Sequence, residues 1–261
     1  MNSTLLQEFN SKEIKYALFR MHPSKAPGPD GSINHTYIVL TLKVNNPKKM
    51  TEFRLISLCN VAYKVIAKVL ANILKPILPL IILESPSAFV PGRLITDNIL
   101  VAFEIIHCLK NSKAGKQGNM ALKLVMNKAY HRVEWKFLEQ LMLHMGFHAR
   151  RVELIIHCVS LTPFSVLINR DPMRCIRLTR ALCQGNPPSP YLFILCAEAF
   201  SYLLMKAEGD QKIKGLAVAR NAPRMSHLFF ADDSLLFSDA SIDQIGEIAR
   251  IISIYGAASS Q

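Results

Sequence analysis

Apolar and polar positions along the chain switch between two periods, and the switches mark its elements. Ile14, Ala17, Leu18 and Met21 fall on one face after Asn10 and Glu13, which have capping-box spacing, so a helix is expected until Pro23 stops it. Lys25 to Gly31 is a loop set by proline and glycine. Tyr37 to Lys43 alternates as a strand does, Asn45 to Lys49 makes a basic turn, and Phe53 to Leu58 reads as the returning strand. Apolar residues then recur at three and four from Val61 to Leu78, with Lys64, Lys68 and Lys75 between them, which predicts an amphipathic helix with a basic face. Asp97 to Leu109 predicts another helix, Asn111 to Gly118 a polar loop, Ala121 to Met126 a strand and Glu134 to Met145 a helix. Val166 to Asn169 and Arg174 to Leu178 are expected to pair as strands. A loop rich in breakers, Gln184 to Pro190, precedes a long helix from Tyr191 to Lys206, and a last helix runs from Ile242 to Tyr255.

One stretch stands apart. Leu228 to Phe237 places Asp232 and Asp233 between two short apolar runs, the pattern of a tight β-hairpin with buried strands and an acidic turn. Burying unpaired carboxylates is costly, so a cation is expected beside them. A hard divalent ion such as Mg²⁺ suits carboxylate and phosphate oxygens, and two such ions can hold the attacking and leaving oxygens of a phosphoryl transfer. An exposed Asp-Asp turn in any α+β protein remains the plainer account of the dipeptide alone.

With 261 residues, half of them hydrophobic and 19% charged, the chain can bury a sizeable core. The formal charge of +12 suits a polyanionic partner such as nucleic acid, though positive surfaces also meet membranes. Cys59, Cys108, Cys158, Cys175, Cys183 and Cys196 are widely spaced, without a Cys-x-x-Cys pair, and read as reduced residues of an intracellular protein, with no disulfide partner. The first residues lack a signal-peptide pattern, and the most hydrophobic run, Ile77 to Leu83, is too short to span a bilayer.

Five blocks in order closely resemble the reverse transcriptase of non-LTR (LINE-type) retrotransposons, most of all plant copies. They are Phe53 to Asn60, Ser87 to Asp97, Lys128 to Tyr130 with Arg132 to Trp135, Gln184-Gly185 with Ser189 to Phe193, and Phe230 to Asp233. The resemblance implies an α+β right-hand polymerase fold, with a fingers-like region over 1–118, a palm over 119–261 and no thumb. It implies that Asp232 and Asp233 are the catalytic, metal-binding carboxylates, that Tyr130 is the aromatic gate against a ribose 2′-hydroxyl, and that Gln184 and Gly185 touch the incoming nucleotide. It implies also that Lys43 and Arg54 grip the triphosphate. Lys48, Lys49 and Lys64 extend this basic surface toward nucleic acid. The implied cofactor is Mg²⁺ or Mn²⁺, and the implied partners are an RNA template, a DNA primer and a dNTP, with no membrane.

The departures from the family pattern fall on the chemistry. Val125 stands where the family opens its first palm block with an aspartate, and His131 where a second aspartate usually follows the aromatic residue. Losing a carboxylate that bridges two metal ions costs about 4 kcal/mol of transition-state stabilisation, about a thousandfold in rate. Ala181, Cys183, Asn186 and Pro188 replace a glycine, a basic residue, an aspartate and a leucine; Leu55, Pro86 and Ile73 are further changes, and a segment between Gly31 and Ile33 is shortened. The expectation is therefore a reverse transcriptase domain fragment, nuclear or cytoplasmic, that is catalytically dead at Val125 and holds metal weakly or not at all. The alternative is a non-catalytic nucleic-acid-binding remnant or the product of an untranslated pseudogene.

Overall fold

A computed structural model describes residues 11–19, 35–49, 52–82, 95–111, 118–126, 129–160, 162–168, 171–183, 185–219, 222–230 and 233–260. The expected loops at Lys25 to Gly31 and Asn111 to Gly118 lie wholly or mostly outside those residues. The chain divides into two compact units that interleave along the sequence: Met1–Ile77 with Tyr130–Phe193, and Leu78–Ala129 with Ile194–Gln261.

The first unit is built on a four-stranded sheet in the order β2-β1-β4-β5, from β1 (Thr36–Leu42), β2 (Phe53–Cys59), β4 (Phe164–Ile168) and β5 (Asp171–Ile176). β1 and β2 form the expected hairpin, in register from Thr36 opposite Cys59 to Leu42 opposite Phe53. β4 joins β1 in parallel, which requires the long connection between them. The two later strands begin upstream of the expected bounds: Phe164, already fully buried, starts β4, and a register shift lies between Ser165 and Leu167. Thr36, Cys59 and Phe164 are neighbours at one end of the sheet and all buried, whereas Leu42 at the other end is exposed, so core packing is concentrated at the first end.

Around that sheet lie α1 (Ser11–Phe19), α2 (Val61–Leu74), α6 (Trp135–His144) and α7 (Ala149–Ser160). Asn60 caps α2 by accepting the Ala62 amide at 2.9 Å. Tyr63, Ala67, Leu70, Ala71 and Leu74 then bury one stripe of the helix. The helix ends at Leu74, four residues short of the expected Leu78, because Pro76 has no amide to continue the ladder; a single turn, α3 (Leu78–Ile81), follows. α7 was not among the expected elements, although Val152, Ile155 and Val159, all buried, have helical spacing.

The second unit holds a three-stranded antiparallel sheet, β3-β7-β6, from β3 (Asn119–Val125), β6 (His227–Phe230) and β7 (Asp233–Asp239). α4 (Ile95–Asn111) packs on β3 and β6, and Ala102, Ile105, Leu216, Leu228 and Phe237 form the core between them. Asn98 on this helix is buried and donates to the Phe229 carbonyl at 3.2 Å. On α8 (Ser189–Gly209), Phe200 stacks on Phe229 at 5.6 Å and meets Tyr255 of α9 (Ile242–Ser259) at 4.9 Å. The Tyr255 hydroxyl donates to the Cys196 carbonyl at 3.1 Å. α8 is long and apolar enough by length and composition to cross a membrane, but Leu192 to Cys196, Phe200 and Leu204 are buried, as in the core helix of a folded protein.

His227 of β6 is sealed into this core, with Nε2 2.7 Å from the Ser201 hydroxyl and Nδ1 3.1 Å from that of Ser226. Burial lowers its pKa to about 4, so the ring is neutral at pH 7. All six cysteines are free thiols, and burial pushes those of Cys183 and Cys196 up to about 12.

Candidate functional site

Antiparallel pairing brings the end of β3 to the start of β7 within the second unit. Val125, the last residue of β3, lies directly opposite Asp233, the first of β7, and Phe230 pairs with Asp233 from the other side. Directly opposed residues project to the same sheet face with Cβ atoms about 5 Å apart. A carboxylate at position 125 would thus stand beside that of Asp233. Valine instead leaves an apolar side chain that is 61% exposed. Asp232 lies outside the described residues.

The cation expected beside the acidic turn is a side chain of the sheet itself. Lys123 precedes Val125 by two residues, so it shares that face, and its Nζ lies 2.8 Å from Asp233 Oδ2. The two side chains are 58% and 39% exposed. The described donors do not fit a pair of divalent ions, which lie about 4 Å apart and need carboxylates that both ions share. Val125 offers no oxygen, Asp233 is engaged by an ammonium, and among the described residues no three His, Cys, Asp or Glu side chains converge.

The remaining candidates belong to the first unit. Lys43 continues the β1 ladder, its amide donating to the Glu52 carbonyl at 2.8 Å, and Arg54 lies opposite Thr41 on β2. Glu52 also organises the turn, since its Oε2 accepts the amides of Lys48 at 2.6 Å and Lys49 at 3.1 Å. That leaves both lysine side chains exposed at the tip, along with those of Lys43 and Arg54. Lys64, on the first turns of α2, is half-buried.

Tyr130 sits on the short helix α5 (Ala129–Arg132), half-buried, with its ring stacked on Phe193 at 4.4 Å. Its carbonyl accepts the Leu182 amide at 2.7 Å, which ties this turn to the loop holding Gly185. Gly185 has φ +93°, and a Cβ there would lie 3.6 Å from the Ser57 carbonyl of β2, so backbone conformation more than space demands glycine. Gln184 lies outside the described residues.

Two of the replacements in this loop, Asn186 and Ala181, are bonded into the unit, although Asn186 Oδ1 is buried without a hydrogen-bond partner among the described residues. Asn186, buried, donates from Nδ2 to the Tyr63 hydroxyl at 2.9 Å, and that hydroxyl donates to the Cys158 carbonyl. Ala181 receives the Trp135 indole N–H on its carbonyl at 2.8 Å and donates to Val133 at 3.0 Å, but at φ +113°, a region suited to the glycine it replaces. Two contributors, Lys123 and Tyr63, escaped the sequence reading. Period-two spacing puts Lys123 on the face of Val125, but its partner depends on a register only the sheet supplies. Tyr63 looked like one more apolar position of a helix.

Residues 46–259 match the family described as Reverse transcriptase (RNA-dependent DNA polymerase). Among curated proteins, an uncharacterized mitochondrial protein of Arabidopsis thaliana is 46% identical over 68 residues, 26% of this chain and 56% of that protein. The uncharacterized 149 kDa protein of transposon TX1 from Xenopus laevis is 26% identical over 229 residues, 88% of this chain and 17% of that protein. This chain therefore spans only part of either relative. Apo telomerase from Candida tropicalis, truncated from its C-terminal domain, matches with TM-score 0.57 at 14% identity over 87% of this chain and 48% of that one. Telomerase of the same organism in complex with a TWJ fragment of telomeric RNA gives 0.55 at 11%, over 89% and 40%. At these identities the likeness shows the fold.

Proposed function

Because the chain belongs to the reverse transcriptase family, whose members work on RNA templates with divalent metal ions, we propose that it is a LINE-type reverse transcriptase fragment that retains nucleic-acid binding and has lost nucleotidyl transfer. In this reading 1–118 is the fingers-like region and 119–261 the palm, and the protein acts inside the cell. Asp232 and Asp233 are the remnant of the metal-binding carboxylates, and Tyr130, Gln184, Gly185, Arg54 and Lys43 are the remnant of the dNTP site. The observation that carries the loss of catalysis is the register of β3 on β7, which sets Val125 beside Asp233 where a second carboxylate would have to stand.

What the chain keeps is cationic reach. Lys43, Lys48, Lys49 and Arg54 are exposed along one hairpin, and Lys64 follows it on α2. Cations on such a hairpin neutralise phosphates without reading bases, so RNA and DNA bind alike and affinity falls as salt rises. If these five cations each meet a phosphate, the log–log salt slope is about −3 to −5. Primer extension on an RNA template with an annealed DNA primer, together with a salt series of binding, tests the proposal. Incorporation at background with salt-dependent binding supports it. Robust incorporation that Asp232→Ala abolishes overturns the loss of catalysis, and binding indifferent to salt overturns the retained function.

A further inference from the structure

We propose that Lys123 is the hairpin's own cation: its ammonium holds the Asp233 carboxylate, so a divalent ion approaching this turn must displace it. The inference rests on reading β3 and β7 as the strands that carry the family's metal-binding carboxylates. It adds a second cause to the weakening expected from Val125, one that acts by occupation and not by absence.

The geometry is set by the sheet. Val125 opposes Asp233, and Lys123 lies one pleat further along the same face, diagonal to Asp233 and within the reach of a four-carbon side chain. The contact formed is 2.8 Å from Nζ to Oδ2. A lysine ammonium is a compact cation with three donors and no acceptor, so it neutralises Asp233 without offering an oxygen to a metal. With a carboxylate at position 125, Asp233 would share the lysine and the face would keep a net negative charge. With valine there, the Lys123–Asp233 pair is already neutral. Among the described residues, a divalent ion then meets one engaged carboxylate, an apolar neighbour and a nearby positive charge that repels it.

The pair is exposed, and exposed ion pairs contribute at most about 1 kcal/mol, so displacing the lysine weakens metal binding by no more than about fivefold. That bound makes the proposal measurable. Titration of the full 261-residue chain with Mn²⁺ at low ionic strength, following free Mn²⁺ by electron paramagnetic resonance, is expected to show about two- to fivefold tighter binding for Lys123→Met. The gain shrinks at high salt, where exposed charges are screened. Lys123→Gln, which keeps a polar side chain of similar reach, gives the same result if Lys123→Met does not fold. Asp233→Asn removes the gain in either background.

Val125→Asp separates the inference from the reading beneath it, because it supplies the missing oxygen ligand. Tighter Mn²⁺ binding by Val125→Asp, with no difference between Lys123→Met or Lys123→Gln and the unmodified chain, overturns the role of Lys123 and leaves the metal-site reading standing. Failure of Val125→Asp combined with Lys123→Met to bind Mn²⁺ at all overturns the reading of the hairpin, and the inference falls with it.

Discussion

The loop around Gly185 and the hairpin around Asp233 both depart from the family's residues, and they absorb the changes in opposite ways. In the loop, Asn186 is bonded to Tyr63 through its amide nitrogen while its Oδ1 stays buried and unpaired among the described residues, Ala181 is bonded on both its amide and its carbonyl, and half-buried Cys183 has its thiol pushed up to about 12 by desolvation. Beside the hairpin, Val125 is 61% exposed and, among the described residues, no side-chain oxygen takes its place; its neighbour Asp233 pairs with a lysine. The difference follows from burial. A polar group shut away from water costs about 1 to 3 kcal/mol when unpaired, so a buried change costs less where partners exist, as the amide nitrogen of Asn186 has and its Oδ1 lacks. An exposed change carries almost no folding cost, because water satisfies what it leaves behind. The scaffold can therefore stay sound while an exposed position of the proposed site changes.

This account makes the interior beneath the hairpin as demanding as the loop, and acid tests that first. His227 is held neutral with its pKa near 4, below the ordinary 6.5. Between those values the unfolded chain takes up a proton that the folded one refuses, so the stability is full above about pH 6.5 and lost as pH falls toward 4. The loss amounts to about 3 kcal/mol. His227→Gln should flatten that part of the urea midpoint against pH relative to the unmodified protein; parallel curves for the two would show that the ring is not shut in.

On the loop side, Tyr63→Phe removes the hydroxyl that links Asn186 to Cys158, leaving the buried amide of Asn186 without that acceptor and the carbonyl without that donor. A loss of about 2 kcal/mol is expected in chemical unfolding. A change below about 0.5 kcal/mol would mean the network is incidental, and the contrast between loop and hairpin would weaken accordingly.

These same residues show what was legible in advance. The hairpins and most helices could be read because period and breakers are local. Helix α7 is equally periodic but carries no cap or breaker signal as clear as those of the other helices. The end of α2 depended on Pro76, whose effect competes with the apolar pattern running through it. The links that matter at the sites, Lys123 to Asp233 and Tyr63 to Asn186, join residues 110 and 123 positions apart in sequence. No spacing rule reaches across such distances, so they had to come from the fold.

A smaller effect with the opposite sign sharpens the loop's half of the comparison. Ala181 holds φ +113°, where a Cβ is strained, although its hydrogen bonds and burial are good. Relief of strain of 1 to 3 kcal/mol, less the extra entropy a glycine brings to the unfolded chain, leaves Ala181→Gly more stable by about 1 kcal/mol. A destabilised variant would show that alanine is the better residue there and that the loop has adapted fully to it.

The smallest expected effect belongs to the hairpin, and its smallness is the point. Lys123 and Asp233 are 58% and 39% exposed, so water and salt already screen their attraction, and the ordering of a long side chain offsets much of what remains. Lys123→Met should shift folding stability by less than about 1 kcal/mol, a smaller loss than Tyr63→Phe causes. Both variants break one polar link, and only the buried link is expected to matter to the fold. If chemical unfolding instead shows Lys123→Met to be as damaging as Tyr63→Phe, the hairpin is fastened by its ion pair and burial does not explain the contrast. If the loss is as small as expected, the face carrying Val125 and Asp233 can be rewritten without unfolding the unit, and a carboxylate can be restored at position 125 with its effect on metal binding read apart from stability.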